Sequence, residues 1–334
     1  MNAGSALDQK HSPLPRILVA VDLSKCLDAL EPLRKVGQVQ HLSDFDQQLV
    51  ESLIHDVHAY LGHTDVLVNE EFLSKAKQLQ VVCTCSTGRD HIDLDALKAR
   101  DIPLISLTTA YELLDTFTST AEMAWLLLLA SRRRLPRLMA WAKDGNIGLE
   151  PGQPLPNQLS RQTLGIVGYG RLGKMVAEYG KAFRMRVITC DPYKEVDSPG
   201  IEQVDFETLL RDADVISLHV HLNDETRYMI DRDVLARTKP GVTLINVSRG
   251  GLVCEEALLE AVQSGHVFAA GLDVVDNEWD ANLYRRPLLE YARTHDNLIL
   301  TPHVGGGSIE SMVDARRFIA RKLAEFLSNK ELDG

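Results

Sequence analysis

The stretch GIVGYGRLGK, residues 165–174, constrains this chain more than any other, because it dictates its neighbours and yet begins halfway along 334 residues. Gly168, Gly170 and Gly173 form G-x-G-x-x-G between the strand-like TLGIVG and the helix-like RLGKMVAEYGKAF. The pattern is common by chance and takes its weight from that strand–turn–helix context. Gly168 permits the tight turn, Gly170 lets backbone N–H groups approach a diphosphate, and Gly173 lets the helix pack closely on the strand. The helix N-terminus then offers unsatisfied donors and a positive dipole end to phosphates. The next strand-like run, RVITCD, ends in Asp191, eighteen residues past Gly173. A carboxylate there accepts from ribose hydroxyls and repels a 2′-phosphate, which predicts NAD over NADP. Lys194 lies close enough to soften that preference.

A motif that normally opens a domain leaves the first half of the chain to another one, and the length suits two cores. From residue 16, apolar runs (RILVAV, QVQHL, AYLG, VVCTCS, IPLISL) alternate with amphipathic stretches, predicting a parallel α/β sheet that ends near residue 107. A second series runs from TLGIVG to NLILTPH, and the tail 308–329 has helical periodicity with no strand after it. Between the two series, TSTAEMAWLLLLASRRRL, 118–135, reads as a helix whose middle is apolar on every side, so another domain or subunit must bury it. Arg132, Arg133 and Arg134 read as its solvated C-terminal end, suited to the helix dipole. Residues 144–158 are rich in Gly and Pro and read as a loop.

A net charge of −11 argues against nucleic acid or an anionic membrane as the main partner. The segment MNAGSALDQKHSPLPR lacks the apolar core of a secretory signal and reads as a frayed leader. AEMAWLLLLA, 121–130, is too short to cross a bilayer. A cytoplasmic location is therefore expected. Cys26, Cys83, Cys85, Cys190 and Cys254 are odd in number, and Cys83 and Cys85 alternate onto one strand face without further ligands nearby. They read as reduced thiols, and no metal is expected.

Three polar residues fall at strand ends, where open α/β sheets place their ligands: Arg249 in LINVSRGG, Glu278 in GLDVVDNEW and His303 in LILTPHVGGG. Singly, each has a bland explanation as a surface cation, a loop acid or a capped loop histidine. Together with GIVGYGRLG, HVHLNDETRYMI, KPGVTLINVSRGGLV, EEALLEAVQSGHVFAAGLDVV and LTPHVGG, in order along nearly the whole chain, they make a sequence that resembles the D-isomer-specific 2-hydroxyacid dehydrogenase family.

The resemblance implies an α/β fold of two Rossmann-like or flavodoxin-like domains, with an NAD-binding domain, 114–305, inserted into a substrate domain made of 1–113 and 306–334. It implies hydride transfer between NAD and a D-2-hydroxy acid/2-oxo acid pair, with Arg249, Glu278 and His303 as the catalytic set. The 29-residue step from Arg249 and the five-residue step from Asp273 choose Glu278 over Asp276 and Asp280. Cofactor contacts carry over to Arg171 and Leu172 at the phosphates, Asp191 at the ribose, Val220, the Val247–Ser248 backbone and Asp273 at the nicotinamide amide. CSTGRDHIDLDA resembles the substrate-side loop, where Ser86, Thr87 and Gly88 would offer backbone donors to the substrate carboxylate, with Thr87 also near the cofactor. The residue types suit the reaction. An imidazole can protonate the oxygen of a reduced carbonyl, a carboxylate fixes its tautomer and favours its charged form, and a guanidinium fork grips a carboxylate. His219 and His221 read as strand residues lining the adenine end. A homodimer packed through 118–135 completes the expectation.

Some segments depart from the family pattern. TTAYELLDTF is longer than usual, and Tyr111 is either a lid residue or part of a surface loop. NEE, 69–71, puts carboxylates where phosphoglycerate-oxidising relatives present a cation, which disfavours 3-phosphoglycerate, and no appended regulatory domain is expected. Glu278 stands where formate-oxidising relatives carry Gln. Arg285 and Arg286 either meet an acidic substrate tail or stand as exposed cations. The rival readings are an NAD(H)-sensing, corepressor-like binding protein, and a phosphoglycerate dehydrogenase or a reductase of another carbonyl acid.

Overall fold

The computed structural model describes residues 14–148, 150–152, 155–196, 198–280 and 282–330, so most of the expected leader lies outside the described residues. The chain divides into two compact units, one running to Phe117 and resuming at Ser308, the other spanning Thr118–Gly307. These breaks fall a few residues beyond 113 and 305. The first lies later because the helix Tyr111–Asp115 puts Leu114 into the first unit's core.

The first unit carries strands β1 (Arg16–Ala20), β2 (Gln38–His41), β3 (Ala59–Gly62), β4 (Val81–Thr84) and β5 (Leu104–Ile105), all parallel in the order β2-β1-β3-β4-β5. Every residue of β3 and β4 is buried, as a parallel sheet covered on both faces requires. Alternate residues feed two cores: Ile17, Val19, Leu61 and Cys83 on one face, Leu18, Tyr60 and Val82 on the other. The tail forms the helix Ile309–Lys330, which closes the first face with Ile319 and Leu323, each contributing about 1.5–3 kcal/mol by burial. The segment expected as a loop at 108–117 is a turn at Leu107–Thr109 followed by the helix Tyr111–Asp115, with the Tyr111 side chain exposed.

The second unit carries β6 (Thr163–Val167), β7 (Arg186–Cys190), β8 (Ile201–Gln203), β9 (Val215–Leu218), β10 (Val242–Asn246), β11 (Val267–Leu272) and β12 (Leu298–Leu300). They are parallel in the order β12-β11-β10-β9-β6-β7-β8, so the order reverses between β6 and β9. A crevice opens at such a switch point, outside the carboxyl ends of the strands.

The helix expected over 118–135 spans Ser119–Arg133 and needs no second subunit to cover its main face. Ala121, Ala124, Leu127 and Leu128 pack on its own unit, against β10, β11 and the helix Arg171–Ala182. By length and composition Tyr111–Arg133 would pass for a membrane span, but it is two helices, and the second buries its apolar face on this sheet. The arginine cluster is also not the solvated helix end expected. Arg132 is 5% exposed and donates to Thr243 Oγ1 at 3.2 Å, while Arg134 pairs with Asp296 at 3.0 Å, and both guanidinium groups lie over the Phe268 ring. Arg133 alone of the three is exposed. The chain reverses at Arg134, in the left-handed region (φ 52°), into the helix Leu135–Lys143, which buries no residue.

Candidate active site

The glycine loop sits where β6 and β9 part. Gly168 has φ 93°, and a Cβ there would come within 2.7 Å of His219 O and Val220 Cγ1 at the end of β9. A Cβ on Gly173 would run into the Gly168 carbonyl, so helix and loop are in direct backbone contact. Gly170 differs: nothing lies within 4 Å of its missing Cβ, which leaves an open approach to the first turn of the helix Arg171–Ala182. That opening, at the N-terminal end of the helix where Arg171 and Leu172 form the first turn, fits a diphosphate. Asp191 follows β7, and its carboxylate is held by two backbone donors, Tyr169 N at 2.8 Å on Oδ2 and Tyr193 N at 2.9 Å on Oδ1. Each oxygen keeps a lone pair for a ribose hydroxyl. Val220 is half-buried beside the loop and Val247 is buried below it. Ser248 Oγ donates to Leu218 O at 2.8 Å, tying the ends of β9 and β10 together. The chain therefore fits NAD on the shape of its own backbone.

Arg249, Glu278 and His303 leave the neighbouring strand ends of this sheet. After β10, Asn246 fixes the Arg249 loop by donating to Arg249 O at 2.9 Å and accepting from Ser248 N at 3.0 Å. After β12, the Nδ1–H of His303 donates to Glu278 Oε1 at 2.6 Å, which assigns the tautomer and leaves Nε2 for proton exchange. The hydrogen bond to Glu278 raises the His303 pKa, while burial and the charge of Arg249 oppose it. Arg249 thus acts electrically on the imidazole. His303 also has φ 53°, a strained region for a non-glycine residue, so something must hold it there.

Asp273 supplies the hold. It is 1% exposed, its Oδ1 accepts from Thr301 Oγ1 at 2.6 Å and Val304 N at 3.1 Å, and its Oδ2 accepts from Gly305 N at 2.7 Å. Its carbonyl accepts from His303 N at 2.9 Å. Expected at the nicotinamide amide, this carboxylate is mainly the anchor of the histidine loop, with one lone pair of Oδ2 left for an amide. Thr301 escaped the sequence reading, although its place two residues before His303 is the only signal that marks it.

Ser86, Thr87 and Gly88 follow β4 in the first unit, where Gly88 N donates to Ser86 Oγ at 3.0 Å, so that donor is turned into its own loop. His219 directly follows β9, one residue beyond the strand end: its Nε2 meets Ser217 Oγ at 2.8 Å, its Nδ1 is buried without a partner, and burial pushes its pKa down to about 4. It is neutral near pH 7. Arg286 is neither exposed nor turned to a substrate, since it donates to Asp276 O and pairs with Glu255, while Arg285 lies over the Tyr284 ring. In NEE, Asn69 caps the helix Glu70–Lys75, Glu70 pairs with Arg100 and Glu71 with Lys75. All five cysteines are free thiols.

A nicotinamide cradle whose neighbouring strand ends carry a carboxylate-paired imidazole and a guanidinium defines an NAD-dependent oxidoreductase. Comparison with known proteins narrows the class. Residues 125–305 match the family model for the D-isomer specific 2-hydroxyacid dehydrogenase, NAD binding domain, and the chain belongs to that family. It is 36% identical to the hydroxypyruvate reductase of Thermotoga maritima over 274 residues, 82% of this chain and 84% of the relative. It is 34% identical to the D-3-phosphoglycerate dehydrogenase of Methanocaldococcus jannaschii over 316 residues, 93% of this chain but only 57% of that longer protein. Among solved structures it superposes on D-lactate dehydrogenase from Aquifex aeolicus, complexed with NAD and lactic acid, with a TM-score of 0.83 at 30% identity, covering 94% of this chain and 96% of that one. NAD is the cofactor of this protein. Such relatives favour catalysis over the cofactor-sensing binding protein.

Proposed function

We propose that the protein is a cytoplasmic, homodimeric enzyme that interconverts a short, unphosphorylated 2-oxo acid and its D-2-hydroxy acid. The observation that carries the reading is the 2.6 Å bond between Glu278 and a His303 held in a strained backbone conformation by Asp273. NAD, when bound, supplies or accepts the hydride at the substrate's second carbon. Arg249 pairs its fork with the substrate carboxylate and polarises the adjacent carbonyl. His303 gives its proton to the carbonyl oxygen during reduction and takes the hydroxyl proton during oxidation. Glu278 keeps the imidazole charged for the first of these, so the protonated fraction, and with it reduction, falls as pH rises through the raised His303 value. Asp191 takes the ribose contacts.

Hydroxypyruvate, pyruvate and phosphohydroxypyruvate, each with NADH, make a panel that tests the reading. Turnover is expected on the first two, named by analogy with the relatives, and little on the third, because by the family resemblance Glu70 and Glu71 replace the cation that phosphoglycerate-oxidising relatives present to a phosphate. NADH binding without turnover of any 2-oxo acid would contradict catalysis and return the cofactor-sensing alternative. Five free thiols support a reducing compartment. The exposed Leu126, Leu135, Met139 and Ile147, on and after the long helix, support a dimer, and light scattering is expected to give twice 37.2 kDa.

A further inference from the structure

Glu278 is carried by a loop whose fixed point is Asp276, two residues earlier, and Asp276 is gripped from three sides. Its N–H donates to Glu255 Oε1 at 2.8 Å, its C=O accepts from Arg286, and its Oδ2 accepts from the Tyr228 hydroxyl at 2.7 Å. Glu255 and Arg286 also face each other, Oε2 to Nη2 at 3.4 Å, with side chains 10% and 24% exposed. Directly against this point lies Gly250, the residue after Arg249, where any Cβ would overlap the Val275–Asp276 backbone. One small set of atoms therefore registers the loop of Glu278 against the loop of Arg249.

Glu255 opens the helix Glu255–Gln263, and a carboxylate there suits the helix dipole. A dipole role alone would leave it in solvent. Instead its side chain is only 10% exposed and bonds to a residue twenty-one positions downstream. A buried carboxylate is costly unless its partners are well placed, and those partners are Asp276 N–H and Arg286, with Asp276 and Glu256 as the opposing charges.

We propose that Glu255 and Arg286 are positioning residues for the acid/base pair, a clamp that sets Glu278 at bonding distance from His303. The inference rests on the acid/base reading above. It predicts that Glu255→Ala lets the 276–278 loop drift, so that His303 loses part of its carboxylate partner without losing the cofactor cradle.

The test is the pH dependence of kcat/KM for 2-oxo acid reduction by the full chain, compared among wild type, Glu278→Gln, Glu255→Ala, Glu255→Gln and the Glu255→Ala/Glu278→Gln double variant. Besides Glu278, the groups that face His303 are Arg249 and Asp273, and both stay in every variant. Glu278→Gln is expected to move the fall in rate to lower pH. Glu255→Ala is expected to move it the same way and to lower kcat/KM by roughly tenfold, about what one charge-assisted hydrogen bond is worth. Glu255→Gln, which keeps an acceptor for Asp276 N–H, restores part of the loss, and NADH affinity stays unchanged. In the Glu278→Gln background the Glu255 substitution should add no further shift. A Glu255→Ala enzyme that is less stable but keeps the wild-type pH profile, or one that shifts equally in both backgrounds, overturns the clamp. A Glu278→Gln enzyme with an unshifted profile overturns the acid/base reading itself, and the clamp with it. Should Glu255→Ala not fold, Arg286→Met is read by the same criteria.

Discussion

Replacing His303 with asparagine is expected to lower turnover of the best 2-oxo acid by about 10²–10⁴-fold, the usual worth of a positioned general acid, while NADH binding stays at the wild-type level. Asparagine is the informative replacement because it tolerates the left-handed backbone that His303 occupies better than alanine does. Alanine would confound lost chemistry with added strain in a loop that Asp273 already holds. The His303 side chain is 42% exposed, so its removal leaves no cavity in the core and the fold should survive. A steady-state assay with parallel NADH titration reads both quantities. Unchanged turnover would remove the imidazole from the reaction. Equal losses in turnover and NADH affinity would instead assign it to the cofactor cradle.

Arg249→Lys is expected to cost on the order of a hundredfold in kcat/KM although it preserves the charge. Lysine is a point cation, whereas the guanidinium presents a planar fork that can meet a carboxylate and the neighbouring carbonyl together. The Arg249 backbone is pinned by Asn246 and, through Gly250, by the Val275–Asp276 chain, so a lysine cannot recover the geometry by moving the loop. Because the interaction strengthens as charge develops on the carbonyl oxygen, the loss should appear in kcat as well as in KM. A change confined to KM would make Arg249 a simple substrate-binding cation.

The two sheets, the glycine loop and the strand-end positions of Arg249, Glu278 and His303 were legible in the sequence because each rests on a local signal. Alternating apolar runs predict strands, the glycine spacing predicts a turn into a helix, and polar residues at strand ends mark where a sheet opens. What escaped the sequence was decided by contacts between distant segments. Arg132 and Arg134 looked like a solvated helix end until Phe268 and Asp296 came beside them. Arg286 looked like a loose cation, but its partners lie at 255 and 276. Asp273 was expected as a cofactor contact, and its hold on residues 301–305, which the sequence did not reveal, depends on β11 and β12 lying side by side. The apolar middle of the long helix was correctly seen to need burial, but only the order of the strands reveals that its own sheet supplies it.

An NMR titration of the His303 imidazole in the NADH-free enzyme, wild type against Glu278→Gln, bears on the central claim without depending on which acid is the substrate. The account predicts that His303 titrates above the ordinary imidazole range in the wild type and falls back when the carboxylate is lost. An imidazole that titrates at its ordinary value in both proteins would mean that Glu278 does not hold the proton there, and the proposed acid would have no basis.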